Sequence, residues 1–273
     1  MEGKKENLMI CDEIMKLCEE LAPLDYAMGW DRKNDGLQLG DRNWKVSRIY
    51  LALDASDEVI EDALEKGVDM LITHHPMIFG GINQINSDSS IGRRLLKLAE
   101  HKISYLAMHT NFDVACMADE AADYLQLADR EVLETSLIDE KGEKGIGKVG
   151  RLPKKMTLRA LCEEVKKQFS LDNVKVFGNL DAEVERAAIS PGSGKDMVGT
   201  ALAAHADVLI TGDIDHHTGI DAVADSLFII DAGHYGLEHI FTDYMYRFLK
   251  ERMDPSEGIE VIREPMKHPF LIV

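Results

Sequence analysis

The chain has 273 residues, 45% of them hydrophobic and 29% charged, enough for one large or two modest domains, each with its own core. A formal net charge of −18 argues against a partner held through a phosphate backbone, so nucleic acid is not expected. No apolar run approaches the ~20 residues that span a bilayer, so no membrane is expected either.

The opening stretch MEGKKENLMICDEIMKLCEELAP lacks a separate apolar region and a small-residue cleavage site, so it does not read as a signal peptide. Leu8, Ile14, Leu17 and Leu21 suit one buried face of a helix. Cysteines at 11, 18, 116 and 162 show no CxxC pairing, which fits a reducing cytoplasm. NDGLQLG at 34–40 carries Asn34, Asp35 and Gly36, an ordinary turn that can also approach a site.

VSRIYLALDASDEVIEDALEKGVDMLITHHP starts at Val46 and predicts a strand, a helix and a second strand. Its end, LITHHP, sets His74 beside His75. Neighbours on a strand point to opposite faces, so both can serve one site only where the strand stops. Pro76 biases His75 toward an extended conformation that leads into a loop. Next, SYLAMHTNFD (104–113) predicts a short strand ending at His109, with Asp113 four residues on.

IDEKGEKGIGKVGRLPKK (138–155) is rich in Gly and Lys and has no sustained apolar period, so it reads as a linker. Its GIGKVG lacks the strand–turn–helix context of a dinucleotide fingerprint. Leu158 to Phe169 predicts a helix.

VERAAISPGSGKDMVGTALAAHADVLITGDI starts at Val184, at an offset of 138 (184 − 46) from the first unit. Without a gap that offset pairs Arg48 with Arg186, Asp69 with Asp207, and Leu71-Ile72-Thr73 with Leu209-Ile210-Thr211. An internal duplication is the reading. Ser193 and Gly194 sit where a strand turns into a helix; a serine cap is expected there ahead of a phosphate cradle. Asp213, His216 and His217 follow the second strand. SLFIIDAGHYGLE (226–238) then echoes the first half, with His234 followed at four residues by Glu238. Ile240, Phe241, Tyr244, Met245 and Phe248 form a stripe expected in the core or at a subunit interface.

The expected fold is therefore α/β: two similar α/β lobes from an internal duplication, 1–137 and 156–273, joined by 138–155. Polar groups follow four predicted strands, at the strand end where α/β sheets bind ligands. Histidine pairs alone are more often bonded to backbone or water, but four such loops together favour a metal site. Imidazole with carboxylate suits Zn, Mn, Fe, Co or Ni, and no thiolate cluster points to structural zinc.

ITHHP, HTNFD, ITGDIDHH and DAGHYGLE, in this order, resemble the GTP cyclohydrolase 1 type 2 homolog family, also called Nif-three-like dinuclear-metal proteins. NDGLQLG, GIGKVGRLP and ISPGSG extend the resemblance over almost the whole chain, with Pro191 where relatives carry a glycine. The resemblance implies two divalent metal ions in a cleft between the lobes, with His74, His75, Asp113, His234 and Glu238 as ligands. Asp113 and Glu238 are the bridging candidates. It further implies a ring-shaped homohexamer. The side chains need supply only positioning and one proton shuttle, for which His109 or His217 is eligible; His109 is also a candidate to orient a ligand. The function expected is a metal-dependent hydrolase of a nucleotide-like or phosphorylated small molecule. The rival expectation is a metal-binding scaffold or regulator without turnover.

Overall fold

The computed structural model describes residues 8–273. Its strands are β1 (Gly36–Leu39), β2 (Arg48–Ala52), β3 (Met70–Thr73), β4 (Ser104–Ala107), β5 (Ala128–Asp139) and β6 (Gly142–Thr157). They continue as β7 (Lys175–Phe177), β8 (Glu183–Ser193), β9 (Val208–Gly212), β10 (Phe228–Asp231) and β11 (Glu260–Arg263). The α-helices begin with α1 (Cys11–Leu21), α2 (Asp57–Glu65), α3 (Ser90–Glu100), α4 (Thr110–Phe112) and α5 (Ala118–Tyr124). They end with α6 (Leu158–Gln168), α7 (Val198–Ala203), α8 (His216–Ala224), α9 (His234–Glu238) and α10 (Ile240–Arg252). Among the described residues no helix is long and apolar enough to cross a membrane.

Two compact units result: Met1–Phe112 with Phe241–Met266, and Asp113–Ile240 with Lys267–Val273. In the first, the sheet order is β1-β4-β3-β2-β11, with β1 antiparallel to β4 and the other pairs parallel. β3 and β4 are buried along their whole length, the mark of parallel strands covered on both faces. The crossovers α2 and α3 start where Ser56 and Ser89 accept the N–H of Val59 (3.2 Å) and Gly92 (3.0 Å), each satisfying an otherwise unbonded first-turn donor. Ile60, Leu95 and Leu98 pack on Tyr50, Leu71 and Tyr105 of the sheet.

In the second unit the order is β5-β6-β8-β9-β10-β7, with β8, β9 and β10 parallel and β7 antiparallel to β10. The two units share their central register. Tyr50 opposes Leu71 in one and Ala188 opposes Leu209 in the other, as the offset of 138 requires. The Asp69 carboxylate accepts the N–H of Ser47 (2.7 Å) and Arg48 (3.0 Å), and Asp207 accepts those of Glu185 (2.8 Å) and Arg186 (2.9 Å). The same carboxylate thus holds the start of the same strand in each unit.

Three expectations are corrected. The expected boundaries at 137 and 156 do not separate the units, because α10 and β11 belong with the first. The linker at 138–155 is instead the end of β5 and most of β6, an antiparallel hairpin on the second sheet. Its glycines serve close approach: a Cβ at Gly145 would lie 1.9 Å from the Glu134 carbonyl oxygen. Finally, α1 begins after Leu8 and buries Cys11, Ile14 and Cys18, so cysteine thiols occupy the face that leucines were expected to fill. None of the four cysteines is in a disulfide, and all are buried.

Candidate metal centre

In the first unit β3 ends at Thr73, yet His74 and His75 still donate their N–H groups to Ala52 (3.4 Å) and Leu53 (3.0 Å). The turn that follows is held by side chains. Tyr105 donates its hydroxyl to the His75 carbonyl oxygen (2.9 Å) and accepts the N–H of Met77 (2.9 Å). His109 arrives from the end of β4. Ligand atoms of His74, His75 and His109 all lie within 4.8 Å of one another.

Each of these rings is fixed through Nδ1. His74 Nδ1 meets the Met108 carbonyl oxygen at 2.8 Å, His75 Nδ1 meets Asp54 at 2.8 Å, and His109 Nδ1 meets Asp31 at 2.7 Å. A proton on Nδ1 leaves Nε2 as the atom carrying the lone pair, the arrangement that second partners impose on metal-ligating histidines. Asp31 is fully buried and also accepts from Asn34 and Thr110, both at 2.8 Å. Burial pushes its carboxyl up, but the His109, Asn34 and Thr110 bonds and the charge of His109 outweigh that and hold it at about 2. Asp35 accepts the His109 N–H at 2.5 Å, while burial pushes its carboxyl up to about 6.

In the second unit His234 opens α9, with Nδ1 2.7 Å from Asp213 and Nε2 2.9 Å from Glu238. Glu238 is only 4% exposed. Asp113 stands in a single π-helical turn, Asp113–Met117, and its carboxylate comes within 4.8 Å of that of Glu238. Gly192, at φ +79°, makes room for Glu238: a Cβ there would lie 2.3 Å from its Oε1. ISPGSG is thus a close-packing motif. Neither expected role of Ser193 and Gly194 appears, since the turn after β8 has no side-chain cap and the Gly194 N–H is donated to Gly212 (3.1 Å).

In each unit the donor chemistry fits a divalent metal: three imidazoles with Nδ1 held by oxygen acceptors in the first, and one such imidazole with two neighbouring carboxylates in the second. His217 does not join them. It is exposed in the first turn of α8, its ring 5.2 Å from that of His216. Sequence reasoning missed Asp31 and Asp54, although Asp54 stands two residues beyond the end of β2, the same signal that singled out the four loops. NDGLQLG supports the site: Asn34 holds Asp31, Asp35 holds the His109 backbone, and Gln38 grips Ile78.

Glu264, after β11, accepts the Leu53 N–H at 2.7 Å, and Leu53 in turn accepts the N–H of His75. Burial pushes its carboxyl up to about 7, opposed by the Leu53 bond and reinforced by the charge of Asp54. A raised acid favours folding fully below its unfolded value of 4.5, and that contribution fades as pH rises through about 7. Metal-free wild type is therefore expected to lose about 3 kcal/mol relative to Glu264→Gln between about pH 5 and 8. Parallel denaturation curves across that window would count against it.

The model of the Duf34/NIF3 (NGG1p interacting factor 3) family matches residues 9–269. A GTP cyclohydrolase 1 type 2 homolog of Clostridium perfringens is 33% identical over 264 residues, covering 96% of this chain and 99% of that protein. The protein of the same name from Streptococcus pneumoniae is 33% identical over 270 residues, with coverages of 96% and 99%. A Bacillus cereus protein related to NIF3 shares the fold, with a TM-score of 0.89 at 24% identity, over 98% of this chain and 100% of that one.

Proposed function

Because the chain belongs to the Duf34/NIF3 family, we propose that it holds two divalent metal ions and uses them to hydrolyse a nucleotide-like or phosphorylated small molecule. His74, His75, Asp113, His234 and Glu238 are the proposed ligands, with Asp113 and Glu238 bridging. The observation that carries this reading is the set of Nδ1 contacts, which aim Nε2 of each ring as a donor.

Bound divalent ions of this kind acidify water and absorb the negative charge that develops in hydrolysis. The chain's own groups then orient and move protons. Asp54 and Asp213 fix the rings of His75 and His234. His109, pinned through Nδ1 to Asp31, presents Nε2 to take a proton and return it to the leaving group.

The test is metal-loaded protein incubated with GTP, the compound in the relatives' name, and with a panel of phosphoesters, products being identified by mass. A product that disappears with chelator is the expected result. No product across the panel would overturn the hydrolase and leave a metal-holding scaffold. The ring hexamer belongs to the same proposal, and a native mass of one 30.5 kDa chain would remove it.

A further inference from the structure

We propose that Trp30 and Phe79 form an aromatic rim that receives a flat heteroaromatic ring beside His109, an inference that rests on reading the histidine cluster as a substrate site. The two side chains are 59% and 60% exposed, and their rings lie 6.2 Å apart at 52°. Each also stands 6.4 Å from the His109 ring, edge-on at 80° for Trp30 and 78° for Phe79. Single exposed apolar residues are ordinary on protein surfaces. Two adjoining aromatic rings at a cluster of donor imidazoles are a different matter.

The backbone beneath them is held on both sides. Phe79 lies between Ile78, whose N–H and carbonyl both bond the Gln38 amide (2.9 and 2.8 Å), and Gly80, whose N–H is donated to Asn34 (2.8 Å). Trp30 lies between Gly29 and Asp31, in a turn where the Asp31 N–H reaches the Met28 carbonyl oxygen (2.8 Å). Met28 in turn donates its own N–H to Thr110 (2.9 Å), and the Asp31 carboxylate grips His109. Partly buried hydrogen bonds thus hold the backbone that carries two large apolar side chains where water meets them, which forgoes the stabilisation of burying them. Rigid aromatic faces suit the faces of a heteroaromatic ring, and such stacking tolerates differences in ring identity. The ligand class is therefore a purine- or pyrimidine-like group whose reacting end reaches the imidazoles.

The experiment uses Trp44→Phe protein, which leaves Trp30 as the sole indole, loaded with metal. GMP and AMP should both quench its fluorescence saturably, and ribose 5-phosphate should not. Trp30→Ala and Phe79→Ala should each weaken GMP binding roughly tenfold, read by calorimetry, while Trp30→Phe retains it. Metal content should stay unchanged in all three. Equal binding of GMP and ribose 5-phosphate, or unaltered GMP affinity in both alanine variants, would overturn the rim. So would Trp30→Ala breaking an oligomer into monomers without a change in GMP affinity, because the rim would then be a subunit contact. Metal retained without GMP binding sinks the rim alone; GMP binding without metal sinks the metal reading instead.

Discussion

Glu238→Ala is expected to release at least half of the bound metal while leaving the fold intact. Glu238 is buried on the short helix α9, with one carboxylate oxygen 2.9 Å from His234 Nε2 and Asp113 close by. Removing it deletes one of the proposed ligands. It also removes one of two neighbouring carboxylates, whose mutual repulsion destabilises the metal-free protein. Two opposite readouts follow: metal content falls, and the melting temperature measured in chelator holds or rises. If Glu238 served only as an ion-pair partner for His234, its loss would remove a stabilising contact from that partly exposed ring, which Asp213 would still hold, and lower that melting temperature. Elemental analysis with paired melts separates the two.

Gly192→Ala is expected to weaken metal binding by about tenfold or more without altering a proposed ligand. The new methyl would stand 2.3 Å from Glu238 Oε1 and 3.3 Å from its Cδ, so the carboxylate must swing away. A backbone φ of +79° adds strain of about 1 kcal/mol or more for any residue with a Cβ. Gly199→Ala on α7 is the control, since nothing lies within 4 Å of a Cβ there. Titration of metal-free protein with Mn or Co gives the affinities. Equal affinities in Gly192→Ala and wild type would mean that Glu238 does not bind from the position seen here.

Much of this was legible in the sequence because parallel strands write themselves as short unbroken apolar runs. Met70–Thr73 and Val208–Gly212 are such runs, and the ungapped offset between them foretold their shared register. The proposed ligands stood out because polar groups at strand ends interrupt those runs. The β5–β6 hairpin was not legible. Gly145 and Gly147 erase the alternation that marks a strand, since neighbouring backbone occupies the space of their side chains. Asp31 was hidden for another reason: it bonds His109 across 78 residues, and nothing local distinguishes it from a solvated aspartate. The units escaped the linear boundaries because α10 and β11 return to the first sheet late in the chain.

The most direct measurement is an anomalous-difference map of crystals grown with Mn or Co. Two peaks are expected, bound by Nε2 of His74, His75 and His234 and bridged by the carboxylates of Asp113 and Glu238. Fully loaded crystals with no peak at these side chains, or with peaks only elsewhere, would contradict the metal centre.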